Sequence, residues 1–136
     1  MVMEKQSLII SLMVADAKYA SEIVVVKDLP DSVSLMSHFI ACPFISEKAQ
    51  MTEQTQDTDH GHLINFNINV SVDRDNDFYR HFHRKPLLLY IETINGERYY
   101  IGSDGNPSRM EYGRKSGTTI TDGNETELTF THTKPQ

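Results

Sequence analysis

The stretch "INFNINV", Ile64 to Val70, alternates apolar and polar residues without a break. Successive side chains of a β-strand point to opposite faces of a sheet, so this alternation predicts a strand with one apolar face and one face of asparagines. An antiparallel sheet with one buried side and one wet side is typical of such a pattern. A partner strand is expected before it, around a turn near "DTDHG", so that residues 45 to 71 form a strand pair.

Two apolar runs near the start of the chain extend the predicted sheet. Residues 6 to 14 and residues 21 to 27 are rich in β-branched residues and predict two buried strands. The first run precedes Ala15-Asp16-Ala17 and so mimics a secretory signal, but it is far shorter than the roughly 20 apolar residues of a membrane span. We therefore interpret it as a strand and expect no membrane partner.

Short helices interrupt the predicted strands at two places. Asp31 or Ser32 can cap a short helix over residues 32 to 39. Residues 75 to 85 predict a second helix, because Asp75 or Asp77 can cap it, two phenylalanines lie four residues apart in it and Pro86 follows it.

The second half of the chain is predicted to be an antiparallel meander with tight turns. Residues 86 to 93 and 98 to 102 flank Asn95-Gly96, a typical hairpin turn. Residues 96 to 113, "GERYYIGSDGNPSRMEYG", are rich in glycine but match neither phosphate-loop template, so they predict a hairpin corner and not a ligand loop. A further strand is expected at "ELTFTHT".

The predicted fold class is mainly β, an antiparallel β-sandwich or barrel-like domain with one or two short α-helices. A chain of 136 residues fits one domain over residues 1 to 136. Its apolar fraction of 38% is below the average for globular domains, which predicts either a thin core or a surface partly reserved for partners.

Charge and motifs argue against several function classes. The net charge of -6 disfavours general nucleic-acid binding, which needs a basic surface. The single cysteine, Cys42, cannot form an internal disulfide and has no catalytic signature around it, and no G-x-S-x-G motif occurs. We predict that the protein is not an enzyme, with no catalytic residue and no cofactor.

Histidines form two His-x-His pairs, His60 with His62 and His81 with His83. Such pairs can bind metals, but no third clustered ligand accompanies them, and on a helix residues two apart face different directions. We expect surface histidines and no metal site. The basic group "RHFHRK" is interpreted as cationic side chains matched to the negative, C-terminal end of the helix dipole, with contact to phosphate or an acidic partner as the alternative.

The order of these features resembles small virion structural proteins from the tail or head-tail connector modules of tailed bacteriophages and prophages of gut bacteria. The resemblance covers residues 45 to 134. The matching segments are Ile64 to Val72, Phe78 to Lys85, Leu87 to Thr93, Asn95-Gly96, Tyr99 to Gly102, Gly117 to Asp122 and Leu128 to Phe130.

This resemblance implies a non-enzymatic subunit that forms a ring or sleeve with other copies of itself and with neighbouring virion proteins. It implies location in the virion, assembly in the bacterial host cytoplasm and passage of DNA through the ring without sequence-specific contact. Polar strands with open edges are expected to pair between subunits. The predicted interface residues are Gln50, Thr52, Gln54, Thr58, His60, His62, Arg114, Lys115, Thr118, Thr119 and Asp122.

A second hypothesis is a soluble β-sandwich module that binds a small ligand or a glycan. Tyr99, Tyr100 and Tyr112 would then form an aromatic stacking platform.

Overall fold

The computed structural model describes residues 3–59, 61–73, 78–82, 84–114 and 125–135. Its helices are a 3-10 helix (Ala17–Glu22), α1 (Ser32–His38) and α2 (Phe78–Phe82). Its strands are β1 (Met3–Asp16), β2 (Val25–Val26), β3 (Leu29–Pro30), β4 (Ile40–Ala41), β5 (Ala49–Thr58), β6 (Gly61–Asp73), β7 (Leu87–Thr93), β8 (Arg98–Ile101), β9 (Arg109–Arg114) and β10 (Glu125–Pro135).

One antiparallel sheet with the strand order β8-β7-β1-β5-β6-β10-β9 dominates the fold, and β4 adds to β1. The long strand β1 joins its two halves: residues 3–8 pair with β5, and residues 9–16 pair with β7. The register shifts at Ile10, which has no partner on β7. The sheet curls into a half-barrel, which confirms the predicted mainly β, barrel-like class.

The larger core cluster of the described residues lies on one face of the curled sheet, where apolar side chains meet in register, and a smaller cluster that includes Ala15, Phe39 and Leu88 lies on the opposite face. Met51 of β5 pairs with Ile68 of β6, Ile68 pairs with Phe130 of β10, and Phe130 pairs with Met110 of β9. Each of these four side chains is at most 1% exposed. The predicted parity of "INFNINV" is therefore confirmed: Phe66 and Ile68 are buried, and the asparagines between and beside them lie on the other face.

Several predicted elements are confirmed with small shifts in their ends. The first apolar run lies within β1, the strand pair is β5 and β6, and Asp31 caps α1 by accepting a hydrogen bond from Ser34 N at 2.8 Å. The hairpin around Asn95-Gly96 joins β7 to β8. The two phenylalanines of α2 stack, with ring centroids 4.9 Å apart. The predicted caps of α2, at residues 75 and 77, lie outside the described residues.

The predicted buried strand over residues 21 to 27 is wrong. Its first residues belong to the 3-10 helix. Val25 and Val26 form β2, a two-residue strand that pairs with β3 in a small β-hairpin. Lys27 and Asp28 adopt positive φ angles of 53° and 67°, as the central residues of a tight hairpin turn require. The turn leaves the valines on the surface and not in the sheet.

The almost entirely polar strand over residues 50 to 58 predicts an edge open to another subunit, and this prediction is wrong for residues 50–55. Along residues 50–55, β5 pairs with β1 on one side and with β6 on the other. Its backbone groups are satisfied within the chain, and its register is set by apolar neighbours such as Met51. The polar composition of β5 suggested an edge strand. The strand is central instead, because alternate side chains such as Met51 are buried in the core.

The hairpin corner predicted over residues 96 to 113 does not form, and the second half is not a meander. Among the described residues, β8 pairs only with β7 and β9 forms a strand ladder only with β10, so these consecutive strands lie at opposite ends of the strand order. The chain between them crosses from one end of the sheet to the other. Its turn is held by hydrogen bonds from Ser103 N to Asn106 O at 3.1 Å and from Asn106 Nδ2 to Thr133 O at 2.8 Å.

Candidate assembly and ligand-binding surfaces

A small hairpin–helix unit, made of β2, β3 and α1, follows the 3-10 helix after β1, and Leu35 of α1 packs against the smaller core cluster on the sheet. The Val24 backbone ties its parts together: Val24 N donates to Ser34 Oγ at 2.9 Å, and Asp31 N donates to Val24 O at 2.8 Å. The hairpin is thus held against the first turn of α1 by defined bonds.

This unit and the adjoining β4 expose a concentration of large apolar side chains, which we name the hairpin–helix surface. Within the described residues, nine large apolar side chains are exposed, and six of them belong to this short segment. The six are Val24, Val25, Val26, Val33, Met36 and Ile40. Met36 is 85% exposed and Val33 is 70% exposed. Contiguous exposed apolar residues often mark an interaction site, whereas single ones are common on any surface.

The outer face of β5, β6 and β10 carries nine uncharged polar side chains in register, which we name the polar array. Its rows follow the strand pairing across the sheet. The rows are Gln50–Asn69–Thr129, Thr52–Asn67–Thr131 and Gln54–Asn65–Thr133. The array is the reverse side of the buried row of Met51, Ile68 and Phe130.

In the described segments, the side-chain hydrogen bonds of the polar array lie in its two outer rows and at its border with β1. Thr129 Oγ1 donates to Asn69 Oδ1 at 3.0 Å, and Thr133 Oγ1 donates to Asn65 Oδ1 at 2.7 Å. Gln50 is bonded to Gln6 of the neighbouring β1. The middle row stays open to a groove of about 320 Å³ that crosses the three strands.

Three of the predicted interface residues, Gln50, Thr52 and Gln54, lie together in the polar array. Thr58 and His62 lie instead at the end of the β5–β6 hairpin. There Thr58 Oγ1 donates to Gly61 O at 2.8 Å, and His62 Nδ1 contacts Asp57 Oδ1. Predicted residues outside the described residues are His60, Lys115, Thr118, Thr119 and Asp122, and of Arg114 only the backbone is described.

The structure does not assemble the three tyrosines into one platform. Tyr99 and Tyr100 are neighbours on β8 and point to opposite faces: Tyr99 packs edge-on against Phe66, and Tyr100 packs edge-on against Phe39. Tyr112 lies on β9, at the other end of the strand order. Consecutive strand residues cannot share a face, so the predicted stacking platform is wrong.

A basic cleft of about 430 Å³ lies where α2 approaches the 3-10 helix and the end of α1. Tyr19 stacks on His38 with a centroid distance of 4.8 Å, and Lys18 Nζ lies 5.0 Å from the Tyr19 ring centre. His81 and Lys85 of the "RHFHRK" group also line the cleft. His81 and Lys85 therefore face cationic and aromatic side chains together with the carboxylate of Asp16, which also lines the cleft.

Metal and thiol chemistry find little support in the parts of the chain that are described. No group of three or more His, Cys, Asp or Glu side chains there could hold a metal ion. Cys42 is buried beside β1, and burial raises the pKa of its thiol to about 12, so the reactive thiolate is strongly disfavoured.

Comparisons with known proteins give no relative: no protein-family model, no curated protein and no solved structure matches the chain. No helix of the described segments is long and apolar enough to cross a membrane.

Sequence reasoning missed the hairpin–helix surface and most of the polar array. The tripeptide Val24-Val25-Val26 signals a buried strand, and only the Lys27-Asp28 turn after it could have indicated otherwise. The array does leave a signal, because "NFNIN" in β6 and "TFTHT" in β10 alternate with the same period. Their alignment across the sheet requires a strand pairing that the sequence does not state.

Proposed function

We propose that the chain is a non-enzymatic structural subunit of a tailed phage particle, which binds other copies of itself or neighbouring virion proteins through the hairpin–helix surface. The observation that supports this best is the exposure of six large apolar side chains on one short unit. The phage setting rests on the sequence resemblance of residues 45 to 134.

The energetics of the hairpin–helix surface favour burial in an assembly. Complete burial of one Val or Met side chain contributes roughly 1.5–3 kcal/mol. The six side chains are only 47% to 85% exposed, and consecutive valines of β2 point to opposite sides, so one contact that buries part of them contributes on the order of 5 kcal/mol. The loss of freedom on association costs an estimated 4–15 kcal/mol. The apolar contribution reaches only the lower end of this cost, so the surface can hold subunits together when neighbouring contacts add to it.

Assembly through this surface replaces the strand-edge pairing expected from sequence. The backbone of β5 is already paired on both sides over residues 50–55, so another subunit cannot add a strand there. Val33 and Met36 lie three residues apart on α1 and so share one helix face. A head-to-tail contact between this face and a different surface of the next copy would close into a ring.

Light scattering during gel filtration, together with negative-stain microscopy of the full chain, tests the assembly. We expect concentration-dependent oligomers, and we expect Met36→Glu to shift them toward monomer. Ser46→Glu is the matched control, because it adds the same charge at an exposed position outside α1 and outside the hairpin–helix surface. Equal effects of the two substitutions would count against an interface at Met36.

The phage setting needs a separate measurement. Mass spectrometry of purified particles from a phage-producing host that carries the gene should detect the chain in stoichiometric amounts. A chain that stays monomeric at high concentration and is absent from such particles would remove the proposal.

A further inference from the structure

None of the nine positions of the polar array holds a charged side chain. Asp, Glu, Lys and Arg make up 24% of the chain and normally lie on exposed surfaces. The array instead presents only carboxamides and hydroxyls, which both donate and accept hydrogen bonds. Such a surface matches a neutral ligand with many hydrogen-bonding groups better than it matches an ion.

The middle of the array has hydrogen-bonding capacity that the protein does not use. The side chains of Thr52, Gln54, Asn67 and Thr131 make no hydrogen bond within the described residues, and all four line the groove. On either side of the middle row, the Thr–Asn bonds of the outer rows hold their side chains in place. Fixed neighbours around open donors and acceptors reduce the ordering cost of binding.

The size of the polar array and the charges at its border limit the class of ligand that the groove can bind. Three strands and five residues along each strand give an array of about 10 by 14 Å. The groove of about 320 Å³ is near the lower end of the ≈ 300–1,000 Å³ range of ligand pockets. Glu4 of β1 and Glu111 and Arg109 of β9 pair with residues of the polar array and so lie along its border. Together these three side chains give the border a net negative charge, which does not favour the binding of acidic ligands.

We propose that the groove over Thr52, Asn67 and Thr131 binds a neutral carbohydrate of one or two sugar units. Sugar hydroxyls both donate and accept hydrogen bonds, and they would pair with the Asn67 and Gln54 carboxamides and the two threonine hydroxyls. Recognition takes place on a rigid central part of the sheet. It does not use the tyrosines, which the fold separates.

This site is independent of the proposed assembly. The hairpin–helix surface is formed by side chains from Val24 to Ile40, whereas the groove lies on β5, β6 and β10. Failure of carbohydrate binding would leave the oligomerisation result unchanged, and failure of oligomerisation would leave the binding result unchanged.

A printed glycan array of neutral and acidic sugars, probed with the full-length chain, tests the proposal first. The strongest neutral glycan is then titrated by calorimetry and by amide NMR. We expect binding of neutral glycans in preference to sialylated or uronate-containing ones. We also expect chemical-shift changes centred on β5, β6 and β10.

Substitutions then locate the site. The double variant Thr52→Val and Thr131→Val removes two hydroxyls while keeping the side-chain shape and strand propensity, and should weaken binding about tenfold. Asn67→Asp removes the amide donors and adds a charge, and should abolish binding. Thr55→Val is the matched control, because it makes the same change on the opposite face of β5, and its affinity should stay within about twofold of wild type.

Three outcomes would overturn the proposal. They are the absence of any neutral glycan that binds, equal weakening by Thr55→Val and by the double variant, and chemical-shift changes confined to residues outside the three strands. Amide spectra and unfolding temperatures of each variant establish that the variants are folded.

Discussion

The backbones of Leu87 and Ser108 exchange two hydrogen bonds, 2.8 Å from Leu87 N to Ser108 O and 2.9 Å from Ser108 N to Leu87 O. Leu87 begins β7 and Ser108 directly precedes β9, two strands that lie far apart in the strand order. This pair of bonds brings the two ends of the sheet together. The half-barrel and the burial of its inner face therefore depend on the chain between β8 and β9.

Gly102 lies at the start of this crossing and should tolerate no side chain. Its φ is +103°, and a Cβ placed on it would lie 2.8 Å from Leu87 O, a backbone atom that cannot easily move. We expect Gly102→Ala to lower the free energy of unfolding by at least about 1–3 kcal/mol. Urea denaturation measures the change.

Two other glycines serve as graded controls for Gly102. Gly96 has a φ of +84°, but a Cβ added there would have nothing within 4 Å, so Gly96→Ala should cost only the backbone strain, about 1 kcal/mol. Gly105 has open space and no positive φ, so Gly105→Ala should be close to neutral. Equal costs at all three positions would contradict the close contact with Leu87.

Replacing methionine by alanine should have very different effects on stability at buried Met51 and at exposed Met36. Met51 is 0% exposed and Met36 is 85% exposed. Met51→Ala should lower the free energy of unfolding by about 2–5 kcal/mol through lost burial and a cavity, and Met36→Ala should change it by less than about 0.5 kcal/mol. Chemical denaturation of dilute monomer gives both values. A mild effect at Met51 would contradict the central position of β5.

Cys42 should be almost unreactive in the folded chain. Burial raises the pKa of its thiol from 9.0 to about 12, so the thiolate fraction at pH 8 falls about 10³-fold. We expect alkylation by iodoacetamide to be slower by at least this factor than in urea-unfolded chain. Mass spectrometry of timed samples measures both rates, and comparable rates would show that the thiol is accessible.

His132 should make the fold sensitive to acid. Its side chain is 6% exposed, and its Nδ1 has no hydrogen-bond partner within the described residues. Burial lowers its pKa below the ordinary value of 6.5, and nearby Lys134 lowers it further, while a hydrogen bond donated to the Pro107 carbonyl opposes the shift.

The direction of the pH effect follows from this lowered pKa. Below pH 6.5 the unfolded chain binds a proton at His132 more readily than the folded chain, so the contribution to stability is full above that pH and is lost as the pH falls. We expect His132→Leu to reduce the loss of stability between pH 7.5 and pH 5. Urea midpoints at both values measure this, with His81→Gln, an exposed position, as the control. An identical acid response in wild type and His132→Leu would contradict it.

Prediction from sequence succeeded where a signal is local. The alternation of Ile64 to Val70, the Asp31 cap and the Asn95-Gly96 turn each depend on neighbouring residues, and each is confirmed. It failed at Val24 to Val26, where an apolar run predicted burial. Two positive φ angles at the following turn place those valines on the surface instead.

In the candidate surfaces, too, features set by neighbouring residues were predicted and features set by strand pairing were not. Gln50, Thr52 and Gln54 were predicted as interface residues, and they do share one face, because alternate residues of a strand always do. The tyrosine platform failed because the prediction grouped residues by composition and not by parity. Asn67 and Thr131, which complete the groove, could not be placed beside Thr52 without knowledge of the strand pairing.

Where a strand alternates, as from Ile64 to Val70, the sequence by itself determined which residues face inward and which face outward, because the two-residue period of a strand is a property of adjacent positions. Only the tertiary structure decided which strands are neighbours: β1 divides its pairing between β5 and β7, and β8 and β9 lie at opposite ends of the order. Strand partners are chosen by the burial of the whole apolar face and by bonds such as those between Leu87 and Ser108, which join residues far apart in the chain.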